Sequence, residues 1–122
     1  MELKGDFFQI ISTTPADNGF AAIVRLNPDH IIYKGHFPGH PVTPGVIQLQ
    51  IIHELLEEYT GNKLKLNTIS NCKFLKVLDP EIDQFFELEF ILKRTGDELN
   101  VKTTGQSGSD TIIKIESVYV IR

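Results

Sequence analysis

Two runs of apolar residues near the start of the chain predict a β-hairpin. Residues 7–13 are rich in aromatic and β-branched side chains, and residues 20–26 have the same character. Between them lies a turn that contains Pro15 and the pair Asn18-Gly19, the pair most favoured in tight turns. Ile31-Ile32-Tyr33 then leads into a loop.

A helical repeat of apolar positions follows that loop. Thr43 suits an N-cap, Pro44 then falls at the first helical position, and Gly61 suits the C-cap. The positions that form the apolar stripe are Leu49, Ile52, Leu55, Leu56 and Tyr59. Gln48 is a polar exception that projects into this stripe. The sequence therefore predicts one long helix that starts near residue 43.

The remainder of the chain is strand-like. Apolar and polar residues predict strands over residues 63–77, 86–92, 99–104 and 112–121, with a break at 78–81 and turns at 94–98 and 105–110. One helix with a sheet rich in hairpins indicates an α+β fold, in which the antiparallel sheet wraps over the helix. We find no linker, so residues 1–122 are expected to form a single domain.

Composition narrows the class of protein. A net charge of −4 and a pI near 5.5 argue against general binding to nucleic acid or to anionic membranes. No apolar run approaches the roughly 20 residues that span a bilayer, and the first residues do not resemble a secretory signal. Cys72 is the single cysteine, which is typical of a reducing compartment. We expect a cytoplasmic protein.

The segment ahead of the helix is the strongest candidate for chemistry. Residues 35–47 contain three glycines, three prolines and two histidines. Proline fixes φ and glycine opens conformations closed to other residues, so the segment predicts a tightly shaped loop. Such a loop is either a rigid connector or a site that presents imidazole groups beside a helix N-terminus.

The residues of this loop match a known signature. The pattern His36-Phe37-Pro38-Gly39-x-Pro41-Val42-x-Pro44-Gly45-Val46 resembles that of the β-hydroxyacyl-(acyl carrier protein) dehydratases, which have the hotdog fold. Residues 71–90 also resemble the strand, break and strand that follow the helix in that family. The resemblance implies a homodimer or higher oligomer, because the family's catalytic histidine and acid meet across a subunit interface. Apolar Val46 and Ile47, on the polar side of the first turn, also indicate a covered helix start.

The resemblance assigns roles to four positions of the loop. His36 matches the catalytic histidine, and the backbone carbonyl at Val42 is expected to hold its imidazole. The amide of Gly45 is expected to bind the thioester carbonyl, and Phe37 lies at a substrate-binding position. Histidine titrates near neutral pH and can act as a base, and an amide in the first turn of a helix can stabilise an enolate-like oxygen.

The chain departs from the family at the acid. The family's acidic residue corresponds to Gln50, and the position four residues later, often glutamine in the family, is Glu54. An amide can donate a hydrogen bond but cannot deliver a proton, and general acid–base help contributes about 100- to 10,000-fold to a rate. One hypothesis is that Glu54 supplies the acid; the alternative is an interface or solvated carboxylate.

Other charged residues have weaker assignments. Lys73 and Lys76 occupy positions that are often basic in the family, and either meet the phosphopantetheine or the acidic carrier protein or are ordinary surface lysines. His30, His40 and His53 could join His36 around a metal, but their spacing and the lack of nearby acidic or cysteine ligands argue against a metal site. No cofactor is expected, because eliminating water from such a thioester needs none.

The sequence thus predicts an enzyme that removes water from carrier-bound 3-hydroxyacyl thioesters to give trans-2-enoyl thioesters. The alternative is a non-catalytic thioester-binding subunit that partners an active dehydratase, which Gln50 favours. A thioesterase on the same fold ranks last, because such enzymes usually lack the loop that begins at His36.

Overall fold

A computed structural model of the chain describes residues 2–37 and 39–122. In chain order its elements are β1 (Phe8–Ala16), β2 (Gly19–Leu26), α1 (Ile31–Gly35), α2 (Gly45–Thr60), β3 (Leu64–Phe74), β4 (Phe85–Thr95), β5 (Glu98–Ser107) and β6 (Asp110–Ile121). The predicted α+β architecture of one long helix and an antiparallel sheet is what the chain adopts.

All six strands form one antiparallel sheet in the order β1-β2-β4-β5-β6-β3. Strands β1 and β3 are therefore the two edges, and each pairs with a single neighbour. The helix α2 interrupts the chain between β2 and β3, and this insertion sends β3 to the far edge of the sheet.

The first hairpin is tighter than the sequence predicted. Pro15 pairs with Phe20 inside the ladder, so the strand runs on to Ala16 and only Asp17 and Asn18 form the turn. Proline is tolerated there because β1 is an edge strand. Gly19 is required at its position, since an added Cβ would lie 1.8 Å from the carbonyl oxygen of Phe90.

The core lies between α2 and one face of the sheet. Ile51, Ile52, Leu55 and Leu56 of the helix are fully buried, with exposed fractions of 0%. Burying each such side chain contributes roughly 1.5–3 kcal/mol to stability. The predicted stripe omitted Ile51 and included Tyr59, which is 37% exposed although its ring stacks on Phe20 at 3.9 Å between centroids.

The predicted N-cap of α2 is wrong. Pro44 is the N-cap, without a side-chain hydrogen bond, and the helix begins at Gly45. The hydroxyl of Thr43 cannot cap because it is buried against the Tyr33 hydroxyl, at 2.8 Å. The predicted C-cap is confirmed, since Gly61 has the left-handed φ of 72° and its amide bonds the Glu57 carbonyl.

Gln48, the polar exception in the stripe, is buried at 3% exposure. Its amide nitrogen donates to the backbone carbonyl of Thr43 at 3.1 Å, so the side chain ties the first turns of α2 to the preceding loop. Its carbonyl oxygen Oε1 is also buried, and no hydrogen-bond partner for it lies among the described residues.

A short helix, α1, was not predicted; the nitrogen Nδ1 of His30 accepts the Ile32 amide at its N-terminus.

Candidate active site

The loop between α1 and α2 is held mainly by hydrogen bonds within its own backbone, with one further bond from the Thr43 amide to the Leu78 carbonyl at 2.9 Å. The His36 amide donates to the Tyr33 carbonyl at 3.3 Å, which ends α1, and the His36 carbonyl accepts the Val42 amide at 2.7 Å. Phe37 and His40 exchange two backbone hydrogen bonds, at 2.9 and 2.8 Å. Because these bonds join backbone atoms, they shape the loop irrespective of the side chain at position 36.

The side chain of His36 is exposed. Its ring contacts Phe37 edge-on, with 5.5 Å between the centroids. In the described part of the chain no hydrogen bond joins this ring to the Val42 carbonyl; the bond between the two residues runs from the Val42 amide to the His36 carbonyl. The role assigned to the Val42 carbonyl stays a prediction.

A buried hydroxyl pair anchors the loop to the core. Tyr33 and Thr43 are 4% and 2% exposed, and their hydroxyl oxygens lie 2.8 Å apart. Burial raises the pKa of Tyr33 to about 12, an effect that the Thr43 hydrogen bond opposes and the charge of Asp79 adds to. Tyr33 is therefore a neutral hydrogen-bonding group, and the Phe7 ring stacks on it at 5.2 Å between centroids.

The N-terminus of α2 faces the ring of Phe74. The first hydrogen bonds of the helix run from the Ile47 and Gln48 amides to the Pro44 carbonyl, at 3.0 and 3.1 Å. The Gly45 amide precedes them, and such first-turn amides have no acceptor within a helix. An added Cβ at Gly45 would lie 2.7 Å from Cζ of Phe74, so a glycine here allows this close approach.

Gln50 and Glu54 are joined to each other and to the N-terminal segment. The Gln50 amide nitrogen donates to Oε2 of Glu54 at 2.9 Å. The Leu3 amide donates to both carboxylate oxygens, at 3.0 and 2.8 Å, and the Lys4 amide donates to Oε1 at 2.8 Å. All these contacts use Glu54 as an acceptor. Its predicted role as the acid stays a prediction, and the contacts seen here are those of a structural anchor.

Two separate cavities are lined by three of the candidate residues, and His36 and Gly45 line neither of them. A polar cavity of about 700 Å³ is lined by Gln50 and Glu54 together with residues of the N-terminal segment. A second cavity, of about 400 Å³, is lined by Phe37 and Tyr33 of the loop region. One chain thus brings Gln50 and Glu54 together in one cavity, and it places the loop beside another.

The two lysines assigned to the carrier protein have different surroundings. Lys76 is bound to Asp110, with 2.9 Å between its ammonium nitrogen and the carboxylate oxygen. Lys73 lies on β3 directly opposite Lys114 of β6, and both are exposed. Like charges facing each other across strands are unfavourable. Among the described residues a carboxylate therefore pairs with Lys76, and none is within ion-pair distance of Lys73.

The other histidines have partners away from His36. His30 lies 3.0 Å from the Asp6 carboxylate, and His53 lies 3.4 Å from that of Glu57. Within residues 2–37 and 39–122, no group of three or more histidine, cysteine or acidic side chains is arranged to hold a metal ion. The described helices also include none that is both long and apolar enough to cross a membrane.

Several features of the site could not be found from the sequence. The hydrogen bonds from Leu3 to Glu54 join residues 51 positions apart. The contact between Phe74 and Gly45 also joins residues that are remote along the chain. The sequence does draw attention to Gln48, because it is a polar residue on an apolar helix face. Its side chain makes a buried hydrogen bond to the backbone of the loop.

Comparisons with known proteins place the chain among dehydratases. It is 26% identical to the 3-hydroxyacyl-[acyl-carrier-protein] dehydratase FabZ of Pediococcus pentosaceus over 122 residues, covering 94% of this chain and 81% of that protein. It is 31% identical to FabZ of Clostridium acetobutylicum over 67 residues, covering 49% of this chain and 48% of that protein. The second match thus spans about half of either chain.

Solved structures share the fold. The dehydratase heterocomplex ApeI:P of Xenorhabdus doucetiae contains a chain that superposes with a TM-score of 0.73 at 19% identity, covering 92% of this chain and 96% of that one. A hypothetical thioesterase of Streptococcus pneumoniae, solved with coenzyme A, superposes with a TM-score of 0.66 at 7% identity, covering 94% and 85%. The predicted hotdog fold is confirmed.

The match to a protein family covers most of the chain. The model of the ApeI dehydratases, described as ApeI-like, matches residues 12–112 of this chain. That span includes the loop from His36, the whole of α2 and of strands β2 to β5, the last five residues of β1 and the first three of β6. The chain belongs to the ApeI-like dehydratase family.

Proposed function

We propose that this protein eliminates water from 3-hydroxyacyl thioesters carried by acyl carrier protein, giving trans-2-enoyl thioesters. The observation that carries the proposal is the arrangement of the loop from His36, which ends against the N-terminus of α2. A base and a set of unpaired helix amides are what enolate formation at a thioester needs. Membership of a dehydratase family supports the same reaction.

In this proposal His36 removes the proton from the α-carbon. The Gly45 amide stabilises the charge that develops on the thioester oxygen, because amides of the first helical turn are unpaired and the helix dipole is positive there. The electron pair then forms the double bond and the carbon–oxygen bond to the β-hydroxyl breaks. The exposed ring of His36 is accessible for this step.

Gln50 changes how the leaving hydroxyl is treated. An amide hydrogen-bonds a hydroxyl but does not protonate it, so the proton that completes the water molecule comes from His36, which has just taken one, or from Glu54. Loss of a dedicated general acid costs about 100- to 10,000-fold in rate. We therefore expect a turnover well below that of a dehydratase with a carboxyl group at this position.

The site is proposed to be completed by a second copy of the chain. On edge strand β3, Leu66, Ile69 and Phe74 are 39%, 39% and 50% exposed. Their cross-strand partners on β6 are the buried Tyr119, Ser117 and Ile113, so this apolar row faces the same side of the sheet as α2. An apolar edge strand of this length is a surface that pairs with another strand.

The helix start supports the same interface. Phe37 of the candidate loop is 56% exposed, and Val46 in the first turn of α2 is 72% exposed. Covering them with a partner would remove apolar surface from water and bring the loop of one chain towards the Gln50 cavity of the other. A homodimer, or a higher oligomer built from it, is the assembly we propose.

The proposed substrate is delivered by the phosphopantetheine arm of an acyl carrier protein. Lys73 lies next in sequence to Phe74, whose ring reaches Gly45, but successive side chains of a strand point to opposite faces, so the charge of Lys73 lies on the outer face of the sheet, beside Lys114. A cationic pair of Lys73 and Lys114 suits a phosphate or an acidic protein surface. Lys76 contributes less, because Asp110 already balances its charge.

A second candidate function is a thioester-binding subunit that assembles with an active dehydratase. Two observations favour it: position 50 is not acidic, and a fold neighbour of this chain comes from a dehydratase heterocomplex. In such an assembly the partner would supply the carboxyl group. The two functions differ in whether the purified protein alone turns over substrate.

The test is a turnover assay of the purified protein with 3-hydroxybutyryl-carrier protein, following the absorbance of the 2-enoyl product. Turnover that disappears in His36→Ala supports the enzyme. No turnover in the wild type, with activity appearing in Gln50→Glu, supports the binding subunit. If the wild type, His36→Ala and Gln50→Glu all fail to form the 2-enoyl product, the proposed reaction is contradicted.

A further inference from the structure

Glu54 joins helix α2 to the N-terminal segment, which is about 50 positions away in sequence. Its carboxylate accepts the backbone amides of Leu3 and Lys4 and the side-chain amide of Gln50, at 2.8–3.0 Å. A carboxylate is an acceptor only, so the Gln50 atom that faces it must be the amide nitrogen. Glu54 thereby fixes which end of the Gln50 amide points along the helix.

The N-terminal segment that Glu54 binds is itself held in place. Leu3 is 4% exposed and Phe7 is fully buried, so both are part of the core. The Lys4 ammonium group also pairs with Glu58 at 3.2 Å, one helical turn beyond Glu54. The backbone amides of Leu3 and Lys4 are therefore donors in fixed positions. They hold the Glu54 carboxylate in place, so the acceptor of the Gln50 amide is fixed as well.

We propose that Glu54 is a positioning residue for Gln50. This inference rests on the proposed function, in which Gln50 meets the β-hydroxyl of the bound thioester. With its nitrogen bound to Glu54, the amide of Gln50 is held in one orientation before substrate arrives. Preorganised polar groups recognise a ligand more tightly than mobile ones, because their order does not have to be imposed on binding.

The chain offers an isosteric variant and a matched control. Glu54→Gln keeps the size of the side chain but turns one acceptor oxygen into a donor, which then faces the donors already present. Glu58→Gln removes a carboxylate on the same helix that binds the same N-terminal segment, without touching Gln50. A pair of measurements on these variants separates positioning of Gln50 from general support of the segment.

The first measurement is NMR hydrogen exchange of the Gln50 side-chain amide, on the protein without substrate. We expect exchange to accelerate about fivefold or more in Glu54→Gln, as expected when a charge-assisted hydrogen bond is lost, and to be unchanged in Glu58→Gln. Equal exchange in the wild type and Glu54→Gln would overturn the proposal, whatever the protein binds.

The second measurement is a double-mutant cycle on the dissociation constant for 3-hydroxybutyryl-carrier protein. We expect Glu54→Gln to weaken binding about tenfold in the wild type and less than about twofold in Gln50→Ala, because Glu54 acts through Gln50. Equal losses in both backgrounds would show that Glu54 supports only the fold. If the wild type binds no thioester, the proposed function fails and the exchange experiment alone decides the role of Glu54.

Discussion

The loop that carries His36 and the helix face that carries Gln50 are built in different ways. The loop is shaped mainly by backbone hydrogen bonds between residues at most six positions apart, such as that from Val42 to His36, with one longer bond from the Thr43 amide to the Leu78 carbonyl. The Gln50 region is shaped by Glu54 and an N-terminal segment about 50 positions away in sequence. The first region follows a recognisable motif, whereas the second departs from the family at both of its polar positions.

The difference separates the residues that follow the family pattern from those that depart from it. Gly45 keeps its glycine, and Phe74 occupies the space that a side chain would need. Gln50 and Glu54 exchange the acid and the amide of the family pattern, yet a hydrogen bond still joins them at 2.9 Å. The residues around His36 and Gly45 are therefore those that follow the family pattern, and the pair at positions 50 and 54 is the part that differs.

Removing the imidazole at position 36 should have the largest effect on the loop. We expect His36→Ala to lower turnover about 100- to 10,000-fold, the contribution of a general base, with little change in melting temperature because the side chain is exposed. His40→Ala is the control, since it removes an exposed imidazole from the same loop. Comparable turnover in the two variants would contradict the role of His36.

Filling the space at Gly45 tests the contact between the loop and Phe74. An added Cβ would lie 2.7 Å from the tip of the Phe74 ring, so we expect Gly45→Ala to push the ring across the helix N-terminus. Turnover should fall about 10- to 100-fold as access to the amide is lost, with a stability change below about 1 kcal/mol. Adding Phe74→Ala should restore part of the activity, and a failure to do so would count against this geometry.

Exchanging Gln50 and Glu54 tests the second region. We expect Gln50→Glu with Glu54→Gln to leave turnover unchanged or to raise it, since a carboxyl group returns to the family position. The same pair should lower stability by about 2 kcal/mol, because a glutamine at 54 cannot accept all the amides of the N-terminal segment. Unchanged turnover in Glu54→Gln alone would exclude Glu54 as the acid.

Alkaline titration gives the smallest effect. The pKa of Tyr33 is raised to about 12 by burial, so above pH 10 an unfolded tyrosine ionises while the folded one stays neutral. The free energy of unfolding should therefore fall between about pH 10 and 12, and the fall should be shallower in Tyr33→Phe. Burial also raises the pKa of Tyr119 to about 12, so part of the fall in unfolding free energy remains in both proteins. Identical slopes in chemical denaturation would show that Tyr33 is not desolvated.

The sequence predicted elements whose causes are local and missed those whose causes are remote. The strands, the C-cap at Gly61 and the loop follow from periodicity and from glycine and proline positions. The N-cap at Thr43 was mispredicted because the Thr43 hydroxyl makes a buried hydrogen bond with the hydroxyl of Tyr33, ten positions away. The donors to Glu54 were missed for the same reason: sequence spacing contains no information on which distant backbone amides a carboxylate will meet.

The central claim is that the His36 loop of one chain works with Gln50 of another. Its most direct test mixes His36→Ala with Gln50→Ala in equal amounts, after subunit exchange, and measures formation of the 2-enoyl product. In a shared site half of the dimers are mixed and each has one intact site, so the rate should recover to about a quarter of the wild-type rate. A rate equal to the mean of the two separate variants would mean that His36 and Gln50 do not work across the interface.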